Sequence, residues 1–214
     1  MEILRLVVGD IMTNCYIVWD TQTKDAMVID PGGDGLEIQQ RISKHGLKVR
    51  YIVNTHAHID HIAANEDLKH AYPDAQLLIH ELDAPALTDP SRNLSLLLNF
   101  RFKSPPADRL LKDGDEIVLG RYRFRVIHTP GHSAGGISLY CDGIKPPVLF
   151  CGDTLFQFSV GRTDFPGGSF ETLANAIRER LFVLPDETVV YPGHGPETTI
   201  GEEKRHNPFV GGVR

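Results

Sequence analysis

Tyr51-Ile52-Val53-Asn54-Thr55-His56-Ala57-His58-Ile59-Asp60-His61 starts as a β-branched run and ends as a cluster of metal-ligand side chains. The apolar residues 49–53 read as a strand that stops at Asn54. Residues 63–71 read as a helix. The donors His56, His58, Asp60 and His61 therefore fall on a strand-to-helix loop, where α/β proteins place their chemistry. Imidazole and carboxylate are ligands that zinc and iron accept. His56 and His58, two apart, point to one side of an extended backbone. Asp60 and His61 lie at the turn into the helix.

The same context recurs three times. His132 stands in Thr129-Pro130-Gly131-His132-Ser133, Asp153 in Cys151-Gly152-Asp153-Thr154, and His194 in Tyr191-Pro192-Gly193-His194-Gly195. Each is a strand, a tight turn containing glycine, and then one donor. Together with the first cluster they make seven donors. One zinc with an open position needs about three protein ligands. Seven suit two metals, roughly 3.5–4 Å apart, that share a hydroxide.

The rest of the chain alternates. Strands are expected at 15–19, 26–30, 76–79, 116–119, 122–128, 137–140, 148–151 and 188–191, and helices at 36–45 and 169–181. Ser169 is the expected N-cap of the last helix, with Leu173, Ile177 and Leu181 on its buried face. The Leu-rich, Pro-interrupted stretch 83–108 reads as short helices or a covering loop. No linker or internal repeat divides the 214 residues, so a single domain, 1–214, is expected. Strands and helices in this order suit two sheets face to face with helices outside.

Composition narrows the function. Hydrophobic residues make up 41%, enough for a sizeable core. Lys and Arg number 22 against 28 acidic residues, which gives no support to nucleic-acid binding. Arg121, Arg123 and Arg125 alternate with apolar residues, as on one solvated face of a strand. No apolar run approaches the ~20 residues of a spanning helix, and the start lacks a signal-peptide pattern. Cys15, Cys141 and Cys151 are too far apart to suggest a framework. They fit buried thiols in a reducing, cytoplasmic setting.

The THAHIDH, TPGHS, CGDT and PGHG segments resemble the motifs of the metallo-β-lactamase superfamily of binuclear hydrolases. The resemblance runs over most of the chain. It implies an α/β fold, a four-layer αββα sandwich. It also implies His56, His58 and His132 on one metal, Asp60, His61 and His194 on the other, and Asp153 bridging. The metals expected are two divalent ions, zinc, with iron or manganese as alternatives. Within the superfamily the chain looks most like the glyoxalase II-like hydrolases. Gly161-Arg162-Thr163-Asp164-Phe165-Pro166-Gly167-Gly168 is similar to a stretch in their small bacterial relatives and in persulfide dioxygenases, as is the tail leading to Asn207-Pro208-Phe209. Only 20 residues follow His194, so the C-terminal glutathione-binding helices of the larger enzymes are not expected.

The implied activity is hydrolysis of a small-molecule thioester such as S-lactoylglutathione. Asp60 would orient the metal-bound hydroxide, and the metal would stabilise the oxyanion. A thiolate of pKa ~8.5 leaves without much help from an acid, unlike an amide nitrogen. The alternative is an Fe(II)-dependent persulfide dioxygenase using His56, His132 and Asp153. Around the donors, Arg162 and Asp164 are candidates for substrate contact, and His128, His80 and Asp30 for orienting a ligand. His45, His70 and His206 read as surface or capping residues. No nucleic-acid or membrane partner is expected, and oligomeric state is not readable.

Overall fold

A computed structural model describes residues 1–212. Their contacts group them into two compact units, Met1–Leu111 with Val118–Tyr122, and Lys112–Ile117 with the chain from Arg123 onward. The first unit runs β1 (Glu2–Val8), β2 (Thr13–Trp19), β3 (Asp25–Ile29), α1 (Gly35–Lys44), β4 (Lys48–Val53), α2 (Ile59–Ile62), α3 (Asn65–Ala71), β5 (Gln76–His80), α4 (Ala84–Leu87) and β6 (Arg109–Leu111). A 3₁₀ turn, Ser95–Leu98, follows α4.

The six strands form one sheet in sequence order. The first two pairings are antiparallel and the other three parallel. Parallel strands are covered on both faces and so read as unbroken apolar runs. Met27, Val28 and Ile29 are fully buried, as are Ile52, Val53, Leu77 and Leu78. α1 adds Ile38 and Ile42 to this core and α3 adds Leu68. Each such side chain contributes roughly 1.5–3 kcal/mol when fully buried. The register brings the ends of β3, β4 and β5 level: the Asp30 amide donates to Val53 O and the Asn54 amide to Leu78 O, both at 2.9 Å.

Next come β7 (Glu116–Leu119) and β8 (Tyr122–His128), whose residues 118–122 group with the first unit and the rest with the second, and they lead to β9 (Ile137–Cys141) and β10 (Val148–Gly152). The hairpin β11 (Leu155–Phe156) and β12 (Ser159–Val160), α5 (Phe170–Ala176), β13 (Val189–Pro192), β14 (Thr198–Thr199) and α6 (Ile200–His206) follow. The main sheet has the order β14-β13-β10-β9-β8-β7. β10 and β13 pair in parallel, so the turns after them leave from the same edge. Ser169 caps α5 by accepting from the Thr172 amide. Leu173, Ile177 and Leu181 pack on Leu149, Cys151 and Val190, as their spacing predicts.

Two helices differ from expectation. The helix expected at 63–71 begins two residues later, at Asn65, as α3, and a separate helix, α2, precedes it over 59–62. Ala64 N–H donates to Pro31 O instead of continuing the ladder. Asn54 Nδ2 takes the carbonyl of His61 at 3.0 Å. The helix expected at 169–181 is α-helical only to Ala176. Its last turn, Ile177–Leu181, is a π-turn, closed by Phe182 N–H on Ile177 O at 2.8 Å. β1, α2, β6, β11, β12, β14 and α6 were not anticipated. Among the described residues no helix is long and apolar enough to cross a membrane.

Candidate metal centre

In the first unit the donors stand beyond the ends of β3 and β4. Asp30 is buried with φ +51°. Its Oδ1 accepts from the Thr55 amide and its Oδ2 from the Thr55 hydroxyl, both at 2.7 Å. Thr55 Oγ1 also lies 3.1 Å from His56 Nδ1. The hydroxyl gives its proton to the carboxylate, so toward His56 it accepts. Nδ1 of His56 therefore carries the hydrogen, and Nε2 is left as a lone-pair donor. Asp30 Oδ2 also lies 3.0 Å from His61 Nδ1. One buried carboxylate thus stands against one imidazole and reaches a second through a hydroxyl.

His61 Nε2 faces Asp60 Oδ2 at 3.4 Å, and Thr13 donates to that same oxygen at 3.2 Å. The His56 ring stands 4.6 Å from His58, edge on, and 4.1 Å from His61. One ligand atom each of His56 and His58, of His56 and His61, and of Asp60 and His61 come within 4.8 Å. The loop backbone is held from outside: the Ala57 amide donates to Asp83 Oδ2 at 3.3 Å and the Ile59 amide to Asn93 O at 2.9 Å. Gly32 is needed here, because a Cβ on it would sit 1.6 Å from the Asp60 carbonyl oxygen. Cys15 lies nearby, but burial first and the Asp30 charge second push its thiol well above the ordinary range. It stays a neutral thiol.

The second unit presents a carboxylate and two imidazoles. His132 Nδ1 lies 2.7 Å from the Arg162 carbonyl oxygen. A carbonyl only accepts, so Nδ1 bears the hydrogen and Nε2 is again the free electron pair. Both His132 Nε2 and His194 Nε2 lie 3.6 Å from one oxygen of Asp153, Oδ2. The Gly193 amide donates to Gly152 O at 2.8 Å, tying the His194 turn to the Asp153 turn. Gly161 packs so close that a Cβ would meet the Asp153 carbonyl oxygen at 1.8 Å.

The donor chemistry fits a divalent cation. His132 Nε2 and Asp153 Oδ2 are two lone-pair atoms standing 3.6 Å apart. That separation is longer than a hydrogen bond. It is close to the spacing of two ligands that each reach one ion at about 2.0–2.2 Å. In the first unit three imidazoles and a carboxylate crowd together in the same way, the imidazoles buried.

The remaining candidates serve differently from one another. Arg162 Nε and Nη2 bond both oxygens of Asp164, at 2.8 and 2.7 Å. The guanidinium also lies 4.0 Å from the Phe165 ring centroid. The Arg162 hydrogen bonds, with smaller contributions from neighbouring charge, lower the Asp164 pKa to about 2. His128 Nε2 meets Ala134 O at 2.9 Å, bracing the turn that carries His132. His80 Nδ1 accepts from the Leu82 amide at 3.3 Å.

Mixed sheets with helices, bearing His and Asp donors on the turns after their strands, define a metallohydrolase type of protein. The model of the Metallo-beta-lactamase superfamily matches residues 8–194, and the chain belongs to that superfamily. It is 38% identical, over 99% of each chain, to the "probable metallo-hydrolase YqgX" of Bacillus subtilis (strain 168). It is 37% identical, over 98% of each, to the hydroxyacylglutathione hydrolase GloC of Haemophilus influenzae. Among solved structures, the BLEG-1 B3 metallo-beta-lactamase matches at TM-score 0.92 and 38% identity, over 99% of this chain and all of that one. ETHE1 from Myxococcus xanthus matches at 0.83 and 32%, over all of this chain and 86% of that one. A di-iron-bound form of TTHA1623 matches at 0.84 and 36%, over 97% and 100%. The fold is the α/β metallo-β-lactamase type expected from the sequence.

Proposed function

We propose that this chain is a binuclear metal-dependent hydrolase of thioesters, with S-lactoylglutathione as the reference substrate. The two donor sets would serve one centre: His56, His58 and His132 on one metal, Asp60, His61 and His194 on the other, and Asp153 on both. The observation that carries the reading is Asp153, whose single oxygen Oδ2 is approached by two imidazoles at 3.6 Å each. Family membership supports pooling the two sets. Identity with GloC supports the thioester.

When bound, the metals would supply a water acidic enough to ionise near neutral pH and a Lewis acid for the carbonyl oxygen. Asp60, held by Thr13, would accept a hydrogen bond from the attacking water and set its direction. Asp30 and Thr55 would keep Nε2 of His56 available to the metals, and Arg162 O would do so for His132. The thiolate leaves unassisted, since its pKa lies near ~8.5. Zinc is the metal proposed. Iron is supported by the di-iron neighbour.

The G-R-T-D-F segment at 161–165 favours one second reading, an Fe(II)-dependent persulfide dioxygenase. The test is hydrolysis of S-D-lactoylglutathione by purified protein whose zinc, iron and manganese have been counted. A kcat/KM of about 10⁴ M⁻¹s⁻¹ or more with near two metals per chain is expected. No turnover, with one iron and oxygen uptake on glutathione persulfide, would establish the second reading. Faster hydrolysis of a β-lactam than of the thioester would move the substrate toward that named for BLEG-1. Asp153→Ala is expected to abolish turnover and lower metal content at both sites. Full loading with normal turnover would overturn the bridging role.

A further inference from the structure

The loop from 161 to 169 touches His132 on both sides. At its start, Arg162 O lies 2.7 Å from His132 Nδ1, and a Cβ on Gly161 would come within 3.3 Å of that same nitrogen. At its end, the Ser169 amide donates to Gly131 O at 2.8 Å, on the peptide just before His132. In between, the loop folds back on itself. The Gly168 amide bonds Phe165 O at 2.8 Å, and a Cβ on Gly168 would lie 2.4 Å from Thr163 O. Ser169 then caps α5, so the far end of the loop is anchored to a helix.

Across this loop lies the Arg162–Asp164 pair. The fork of Arg162 reaches two residues ahead, closing a ring of atoms that contains the Arg162 carbonyl carbon. Two parallel hydrogen bonds fix that ring far better than one. The stacked Phe165 covers the guanidinium face. The carbonyl thereby has one direction, toward His132.

We propose that 161–169 is a collar around the His132 ligand and that the Arg162–Asp164 pair is its brace. Both are positioning residues for metal binding, not a seat for a substrate carboxylate. The fork to Asp164 takes the Nε hydrogen and one on Nη2, and Asp164 already compensates the guanidinium charge that a substrate anion would need. The inference rests on His132 being a metal ligand, as proposed above. It explains why a fork and its carboxylate are spent on each other at an exposed loop, where they are 59% and 67% accessible. Exposed pairs generally contribute little to stability.

The low structural cost makes the test clean. Arg162→Ala, Asp164→Ala, the double variant, Arg162→Lys and His132→Ala are made in the full chain. Zinc affinity is measured by competition with a chromogenic chelator, and the melting temperature is taken without metal. Each alanine variant is expected to weaken one zinc equivalent by about 10–100-fold, the usual effect of losing a ligand's outer partner. The double variant should be no worse than either single, because one interaction is being removed twice. Arg162→Lys should fail as alanine does, since Lys cannot fork. Metal-free melting should barely move.

Wild-type zinc affinity in Asp164→Ala overturns the brace. So does a rise in KM confined to Arg162→Ala with metal affinity intact, which would assign Arg162 to substrate. His132→Ala separates the two readings. If it leaves both zinc equivalents bound, the ligand assignment fails and the collar with it. If it releases zinc while Asp164→Ala does not, only the collar fails.

Discussion

Thr55 donates one proton and accepts another, and the candidate ligand His56 depends on it. Its hydroxyl bonds Asp30 at 2.7 Å and lies 3.1 Å from His56 Nδ1. Thr55→Val keeps the shape and removes that link, leaving the His56 ring without its orienting acceptor. Zinc affinity is expected to fall about 10–100-fold, with Thr55→Ser near wild type. Wild-type affinity in the valine variant, read by chelator competition, would show that the hydroxyl orients nothing. At this scale the donors were legible, because His and Asp at strand-end turns are a chemical signature in themselves. Their supports were legible only in part. Asp30 ended a strand beside the same edge and was visible. Thr55 was in view, but its partner lies 25 residues away. Arg162 drew notice for its side chain, whereas its carbonyl is what meets His132. No residue type announces a carbonyl.

Strands that are apolar, β-branched and stopped by Gly, Pro or Asn could be read directly, as at β3, β4 and β10. The edge strand β1 could not, since five of its seven residues are exposed or half-buried and its first four follow no clean period. The break between α2 and α3 was hidden for another reason: its causes, Pro31 O and Asn54, are tertiary. The π-turn after α5 leaves the apolar face intact, so periodicity cannot register it. Long-range ties of this kind also set the pH response of elements. Asp108 enters β6 and accepts at 2.7 Å from the Leu77 amide of β5 and from Lys69 of α3. Partial burial alone would raise its pKa, but the Leu77 amide and then Lys69 outweigh that and lower it. A carboxyl lowered by folding stabilises above its unfolded value, about 3.9, and loses that contribution as pH falls through the folded value. Asp108→Asn should therefore melt below wild type at pH 7, and the gap should close as pH drops beneath 4. A gap that stayed constant down to pH 2 would remove the charge from the explanation.

At the scale of the molecule, the seven donors divide between two compact units, four in the first and three in the second. The sequence shows this only as distance along the chain, 71 residues from His61 to His132. It contains no linker that would mark a boundary, and two units held by separate cores emerge only from contacts. A ligand that binds the folded state stabilises whatever it touches, by about 2.7 kcal/mol at a hundredfold excess over its dissociation constant. A pooled centre must therefore stabilise both donor sets at once. Removing metal from the loaded protein should raise amide exchange around 55–61 and around 131–133, 152–154 and 193–195 together. It should also lower the melting temperature by roughly 5–10 °C, at about 2–4 °C per kcal/mol for a chain of this size. Asp153→Ala should reproduce both effects without chelator, because its carboxylate would belong to both metals. Exchange that rises in one set and stays flat in the other would mean separate sites. The bridging assignment of Asp153 would then fail, while the donors of the affected set would stand.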